Sequence, residues 1–346
     1  MGEEEEEEAR RWIRTDETAK RMLSRVLRDR SILLLPPLHR VPLRAGNVVE
    51  ITGASPSAKT QILIQSAISC ILPKEWNSIQ YGGLGKLVLF LDLDCRFDVL
   101  RLSEVLKHRL LQADRLGNGE WWQLQDANLR NCGSEDKKSK AVFDEELYVS
   151  CMKRFLYIRC YDSIELLSTL KTLHYRIQRE EEAYGIQVGI LMIDSIGAFH
   201  WTDRLSSSLA MEAHNRKNLS LKNVVETIVQ EMKRLLQVHS MIIIATKATI
   251  FGDNKHPASE ISRKFSSNDD LSRTGSSNAQ HLPFREFMPS SWQAFVTHRI
   301  LLRQPAGQSL PMQQSASPST YTLEWLQPQL SSFDKFAVEE GGIVNV

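Results

Sequence analysis

The sequence Gly53-Ala54-Ser55-Pro56-Ser57-Ala58-Lys59-Thr60 follows an apolar run, residues 48–52, and precedes a segment with helical spacing, residues 61–72. A strand, a turn that contains Lys-Thr and a helix together form the context of a phosphate-binding P-loop. The usual pattern has a glycine where this chain has Ala58. Because alanine is penalised at a positive φ and glycine is not, the motif is degenerate at this position. The alternative interpretation is a plain strand-to-helix turn that happens to contain Lys-Thr.

The last two residues of this loop are those that phosphate chemistry requires. Backbone N–H groups of such a loop, and of the helix N-terminus after it, point at a bound anion. A lysine at position 59 supplies charge to terminal phosphates, and a hydroxyl at position 60 can ligate Mg²⁺. The predicted cofactor-binding residues are Gly53, Ala54, Ser55, Pro56, Ser57, Ala58, Lys59 and Thr60.

Two further apolar strands are predicted to end in carboxylates. Residues 86–93 lead into Asp92-Leu93-Asp94, and residues 188–195 include Asp194. Ligands of open α/β sheets bind at the carboxyl ends of the strands. Asp194 has the Walker B arrangement, so we predict that it holds Mg²⁺ together with Thr60.

The overall composition leaves several classes of protein open and excludes few. A chain of 346 residues holds one large α/β domain or two small ones, and its 42% hydrophobic content is ample for a packed core. The formal net charge of +1 argues neither for nor against nucleic acid. The five cysteines form no CxxC pair, which suits reduced thiols in the cytosol or nucleus and no structural zinc. The acidic N-terminus is unlike a signal peptide, and the apolar runs are too short to span a bilayer.

The order of elements predicts an α/β fold. Strands alternate with helices, which favours a mostly parallel sheet with helices on both faces, and two antiparallel strands are expected at residues 292–303 and 320–325. Ser163 is predicted to cap a helix that runs to about Ala183. The predicted boundaries are an acidic disordered tail at 1–14, an N-terminal helix and linker at 15–47, a core at 48–330 with polar insertions at about 117–140 and 251–291, and a C-terminal tail at 331–346.

Five stretches resemble a known family. They are residues 70–80 (CILPKEWNSIQ), 89–102 (LFLDLDCRFDVLRL), 108–110 (HRL), 192–204 (MIDSIGAFHWTDR) and 291–302 (SWQAFVTHRILL). They are similar to the family of the X-ray repair cross-complementing protein, second member, a group of paralogues of the eukaryotic RecA-type strand-exchange recombinase. The resemblance runs from about Val48 to Arg303 and is weak in the tails and insertions.

The resemblance implies a RecA-like P-loop core and a role in homologous-recombination repair of DNA double-strand breaks in the nucleus. Members of this family work in a complex that assists the recombinase. The expected partners are the D-type recombinase paralogue, other members of a paralogue complex, and single-stranded or branched DNA reached through that complex; no membrane partner is expected. ATP and Mg²⁺ are the implied ligands of the degenerate site.

The resemblance implies roles for several residues of this chain, and at some of these positions the residue differs from the family pattern. Asp94 occupies the place of a glutamate that aligns the attacking water in active recombinases, and its carboxylate would sit about 1.5 Å further back, a displacement that can cost roughly 10²-fold in rate. Ala248 follows Lys247 where the recombinases have a glutamine that senses the γ-phosphate. The residues after His200 and after Phe251 match the two DNA-binding loops. The candidate DNA-binding residues are Arg204, Arg216, Lys217, Arg263, Lys264 and Arg273.

Other interpretations of these features stay open. Acidic residues dilute the charge of 251–291, so this segment is alternatively a solvated linker. Trp121-Trp122 could stack bases, although a tryptophan pair more often packs on its own domain. The function that we predict is a scaffold or mediator with weak or absent ATP hydrolysis. The alternatives are a working DNA-dependent ATPase and a small-molecule P-loop kinase. A kinase would need a cluster of arginines to clamp a second phosphate, and the sequence shows no such cluster.

Overall fold

The structure is a computed structural model that describes residues 31–32, 36–116, 144–210, 221–249, 284, 286–304 and 320–346. The predicted helix at residues 15–27, the whole polar insertion at 117–140 with its tryptophan pair, and most of the insertion at 251–291 therefore lie outside the described residues.

A nine-stranded sheet forms the centre of the described part. Its strand order is β13-β12-β11-β10-β3-β9-β8-β6-β7, and two two-stranded sheets, β1-β2 and β4-β5, accompany it. The strands are β1 Ser31–Ile32, β2 Leu43–Arg44, β3 Val48–Gly53, β4 Glu75–Trp76, β5 Ile79–Gln80, β6 Leu87–Asp92, β7 Phe155–Arg159, β8 Val188–Asp194, β9 Ile242–Ala248, β10 His298–Arg303, β11 Thr320–Gln327, β12 Gln329–Glu339 and β13 Gly342–Asn345.

The pairing within the large sheet is mixed. The six strands from β10 to β7 pair in parallel, and β11, β12 and β13 add antiparallel strands at one edge. Every residue of β3, β6 and β8 is buried. Continuous apolar runs are typical of strands that are covered on both faces, and this explains why the sequence predicted these three.

Helices cover both faces of the sheet, as predicted. One apolar cluster joins α1, α2 and α3 to one face, and a second joins α4, α6 and α7 to the other. The helices are α1 Lys59–Ile71, α2 Val99–Leu116, α3 Glu145–Lys153, α4 Ser163–Tyr184, α5 His200–Ala210, α6 Leu221–Val238 and α7 Ser290–Phe295.

Three local predictions are corrected by the structure. Residues 292–295, predicted as the start of a strand, belong to helix α7, because Trp292, Phe295 and Val296 are buried at helical spacing and the strand begins only at His298. The N-cap of α4 is Asp162 and not Ser163, because the Asp162 carboxylate accepts a hydrogen bond from the Glu165 N–H at 2.7 Å.

The third correction concerns residues 331–346, which lie in the large sheet and not in a tail outside it. They form most of β12 and all of β13, and Phe336 and Ile343 are buried there. Asp334 of β12 also accepts a hydrogen bond from Arg40 at 2.5 Å, which ties the end of the chain to the segment before β3. Burial of these apolar side chains supplies the driving force for the added hairpin.

Candidate functional site

The predicted P-loop lies between β3 and α1. The Lys59 ammonium donates hydrogen bonds to the carbonyl oxygens of Gly53 and Ala54, both at 2.9 Å, and to Ser57 Oγ at 3.0 Å. Desolvation by burial lowers the pKa of Lys59, and the carboxylates of Asp194 and Asp94 act against this shift. The lysine is thus held at the loop, beside both predicted carboxylates.

Ala58 has the backbone conformation that the sequence predicted to be costly. Its φ is 59° and its ψ is 17°, in the left-handed region. For a residue with a Cβ atom this region costs roughly 1–2 kcal/mol. No side chain among the described residues caps the N-terminus of α1, and its first turn has no acidic residue. The N–H groups of that turn are therefore available to an anion.

Replacing Ala58 with glycine is expected to raise the affinity for an ATP analogue about fivefold, because relief of roughly 1 kcal/mol of backbone strain lets the loop adapt to phosphate. Titration with a fluorescent analogue measures the change. Ala54→Gly adds flexibility to the same loop and should bring no gain. Equal affinity of Ala58→Gly and the wild type would show that the strain does not limit binding.

Asp194 ends β8 and is fixed by two threonine hydroxyls. Thr60 Oγ1 donates to Asp194 Oδ2 at 2.8 Å, and the Thr246 hydroxyl donates to Asp194 Oδ1. Burial raises the pKa of Asp194, and the hydrogen bonds from Thr246 and Thr60 oppose that rise. The predicted pair for Mg²⁺, Thr60 and Asp194, is thus in direct contact across 134 residues of sequence.

Asp94 and Asp92 have different surroundings although they are two residues apart. Asp94 is exposed just beyond β6, whereas Asp92 is fully buried and its Oδ2 accepts from the Tyr157 hydroxyl at 2.6 Å. Desolvation, and then the carboxylates of Asp194 and Asp92, raise the pKa of Asp94 to about 6. The family resemblance predicts Asp94 at the water-orienting position. No structural role was predicted for Asp92, although its place at the end of a buried strand was a signal for one.

Replacing Asp94 with asparagine is expected to stabilise the protein near neutral pH. The folded-state pKa of about 6 exceeds the ordinary value of 3.8, so the folded protein binds the proton more tightly and loses stability as the pH rises through this window. After discounting for its exposure, the gain from Asp94→Asn is about 1 kcal/mol above about pH 6 and shrinks towards about pH 4. Urea denaturation across this pH range tests it; a gain independent of pH would contradict the assigned cause.

Lys59, Asp94 and Asp194 lie near one another at one edge of the sheet, although the P-loop strand is not adjacent to the strands that lead to the two aspartates. Strands β6 and β8 are neighbours with Asp92 opposite Asp194, and the Leu93 N–H donates to the Asp194 carbonyl at 2.6 Å. Strand β9 lies between β8 and the P-loop strand β3, and its Thr246 pairs with Ile51 of β3 and donates a hydrogen bond to Asp194 of β8. The contact from Thr60 to Asp194 therefore passes over the end of β9.

A buried ion cluster that the sequence did not predict lies beside this site. Lys247, which follows Thr246, donates to Glu50 Oε1 at 3.0 Å and to Glu286 Oε2 at 2.7 Å, and Arg299 lies near both carboxylates. Ala248, in the predicted phosphate-sensing position, is exposed at the end of β9. The available signal was Glu50 itself, a charged residue inside the apolar run at 48–52.

Of the candidate DNA-binding residues, the described part contains Arg204. It lies exposed on α5, with its guanidinium 5.8 Å from the centre of the Trp201 ring, which is itself 51% exposed. An exposed cation beside an exposed aromatic ring suits a nucleic-acid backbone and base. The other candidates, Arg216, Lys217, Arg263, Lys264 and Arg273, lie outside the described residues.

These features define the class of protein: a P-loop protein with a RecA-like α/β fold, mostly parallel in its sheet and antiparallel at one edge. Within the described residues, no helix has the length and apolar character that crossing a membrane requires.

Comparison with known proteins narrows this class. No protein-family model matches the chain. The chain is 72% identical to the DNA repair protein XRCC2 homolog of Arabidopsis thaliana over 336 residues, which is 97% of this chain and 90% of the relative. It is 25% identical to the DNA repair protein XRCC2 of Mus musculus over 307 residues, 86% of this chain and 84% of the relative. The chain therefore belongs to the XRCC2 family of DNA repair proteins, and the resemblance that the sequence suggested is confirmed.

Proposed function

We propose that this protein acts in the nucleus, in homologous-recombination repair of DNA double-strand breaks, as a scaffold subunit that assists the strand-exchange recombinase. Its core is a nucleotide-binding fold used for assembly. The D-type recombinase paralogue is the proposed neighbour within a paralogue complex, and single-stranded or branched DNA is contacted through that complex. Membership of a DNA repair family supports the general role, and the arrangement of the P-loop site supports the mechanism.

One observation carries this proposal. The residues that would hold phosphate and metal are in place, whereas three residues nearby differ from those of the active recombinases. Lys59 lies at the loop, and Thr60 is bonded to Asp194 at 2.8 Å. The uncapped first turn of α1 fits a phosphate group. When bound, Mg²⁺ and ATP would supply charge neutralisation and a conformational signal, with Thr60 and Asp194 holding the metal and Lys59 the phosphates.

The altered residues bear mainly on turnover, and Ala58 adds a modest cost in phosphate affinity. Ala58 adds a Cβ atom in the left-handed region, Asp94 is one methylene shorter than glutamate, and Ala248 has no group that can donate to phosphate. Phosphate binding depends on backbone N–H groups and Lys59, which are present. Weak or absent hydrolysis with retained binding is the function that this combination supports best.

A DNA-dependent ATPase is the second candidate, and one observation favours it. The pKa of Asp94 is raised to about 6, by desolvation and by the neighbouring carboxylates. A general base works best when its pKa lies near the operating pH, so Asp94 is better suited to orient and activate water than an ordinary aspartate.

Complementation of cells that lack this protein separates the two candidates. We expect Asp94→Asn, which keeps the fold and removes the base, to restore resistance to double-strand breaks as well as the wild type does. Loss of repair in Asp94→Asn, with the complex intact by co-purification, would favour the ATPase. Full repair in Lys59→Ala would show that nucleotide is not required at all, and failure of the wild type to restore recombination would overturn the proposed function.

Replacing Arg204 with alanine is expected to weaken binding of single-stranded DNA by the purified complex. One lost phosphate contact should reduce the slope of log affinity against log salt by about 0.7. Fluorescence anisotropy at several salt concentrations measures it. Arg179→Ala removes an exposed arginine from the far half of α4 and is the matched control. An unchanged salt slope in Arg204→Ala would remove this helix from the DNA interface.

A further inference from the structure

The buried ion cluster joins parts of the chain that are distant in sequence. Glu50 lies in β3, Lys247 in β9 and Arg299 in β10, while Glu286 belongs to the short segment before α7. The side chains of Glu50 and Lys247 are fully buried, Arg299 is 7% exposed and Glu286 is 12% exposed. Two cations face two anions, so the cluster is electrically balanced away from water.

Each carboxylate is satisfied by more than one donor. Glu50 accepts from Lys247 at 3.0 Å and from the indole N–H of Trp292 at 2.5 Å. Glu286 accepts from Lys247 at 2.7 Å, and its other oxygen accepts from the backbone N–H groups of Phe287 and Met288 at 3.0 and 2.9 Å. Through these last two bonds, the position of the Glu286 side chain fixes the backbone of the two residues after it.

Phe287 carries this constraint to a different part of the molecule. Its ring lies 4.8 Å from the ring of His200 and 6.0 Å from that of Trp201, the first two residues of α5. A Cβ atom built on Gly197 would lie only 2.9 Å from the Phe287 ring, so a side chain at position 197 would displace it. The start of α5 and the segment at 286–288 therefore fit closely against each other.

We infer that the Lys247–Glu286 ion pair is a positioning device that fixes helix α5 to the central sheet through Phe287. Lys247 anchors Glu286 to β3 and β9, Glu286 sets the backbone at residues 287 and 288, and the Phe287 ring supports His200 and Trp201. The exposed face of α5 that carries Arg204 is thus held in a fixed position relative to the sheet. This positioning of α5 requires neither nucleotide nor DNA.

Variants that keep the charge balanced can distinguish the positioning of α5 from a general contribution of the cluster to stability. Lys247→Met leaves a surplus anion in the cluster, and Glu286→Gln leaves a surplus cation. The double variant Lys247→Met with Glu286→Gln restores the balance and leaves Glu50 paired with Arg299. It is expected to fold as cooperatively as the wild type while lacking the ion pair that positions Phe287.

Hydrogen exchange of the full chain, followed by mass spectrometry of peptides that cover residues 197–205, tests the inference. The double variant and Phe287→Ala should each raise amide exchange there by about tenfold or more, with exchange in β10 unchanged. Phe287→Leu, which keeps an apolar side chain of similar reach, should recover most of the protection. Arg303→Met, which breaks the exposed ion pair with Glu324, is the control for loss of an ion pair and should change nothing.

Each other outcome overturns the inference. Exchange raised by Phe287→Ala but not by the folded double variant would show that the ring is held without the ion pair. Unchanged exchange in both would show that α5 does not depend on Phe287. Exchange raised throughout the sheet in the double variant would show that the cluster stabilises the whole fold and positions nothing in particular.

Discussion

Replacing Lys247 with methionine is expected to lower the free energy of unfolding by about 3–5 kcal/mol, the usual cost of leaving a buried charge without its partner. The variant removes one of two cations and leaves Glu50 and Glu286 facing Arg299 alone. Methionine fills a similar volume, so the loss reports charge and not a cavity. Urea denaturation near neutral pH, followed by circular dichroism, measures the change.

The appropriate controls are an exposed ion pair and the balanced double variant. Arg303→Met breaks a pair whose side chains are 48% and 42% exposed, and it should cost about 1 kcal/mol or less. Adding Glu286→Gln to Lys247→Met should recover a large part of the lost stability, because the remaining charges are again balanced. If Lys247→Met costs no more than Arg303→Met, the cluster is not the closed, dry network that the structure shows.

The second large effect is expected at the P-loop. Lys59→Ala should weaken binding of an ATP analogue with Mg²⁺ by about 30-fold to 150-fold, since hydrogen bonds to a charged group contribute roughly 2–3 kcal/mol. The folded structure should change little, because the lysine is only half-buried and its partners are two carbonyl oxygens and a hydroxyl that water can satisfy. Titration of the purified protein, with and without its co-purifying partner, measures the affinity.

Lys74→Ala is the matched control, because Lys74 is an exposed lysine just beyond the end of α1. It should bind nucleotide as the wild type does. Equal affinity of Lys59→Ala and the wild type would place the nucleotide elsewhere. Failure of the wild type to bind in either state would leave the P-loop as a structural turn, which is the alternative that the sequence left open.

Much of the fold could be predicted because its signals are local. Strands β6 and β8 are almost entirely apolar up to their final aspartate, and β3 is apolar apart from Glu50 and Thr52; such runs indicate strands covered on both faces. The turn at residues 53–60 predicts the connection from β3 to α1, and Ala58 does have the positive φ at which alanine is penalised and glycine is not. Helix α7 was mistaken for a strand because a short apolar run has no period long enough to separate the two.

The candidate site was predictable in part for a related reason. Parallel strands present their carboxyl ends at one edge, so residues that end such strands are expected to meet, as Asp94 and Asp194 do. The burial of Asp92 could not be predicted, because sequence does not show which of two neighbouring carboxylates turns inward. The ion cluster was missed because Lys247 lies 197 residues from Glu50 and 39 from Glu286.

The sequence by itself determined the class of fold, the P-loop turn and the two carboxylates at strand ends, because chain periodicity and turn chemistry act over a few residues. The tertiary structure alone decided that Thr246 of β9 bridges the P-loop strand and Asp194, that Asp92 is buried while Asp94 is exposed, and that Lys247 is neutralised by two distant glutamates. These outcomes follow from strand order and burial, which arise only when segments far apart in the chain share one interior and every charge there must find a partner.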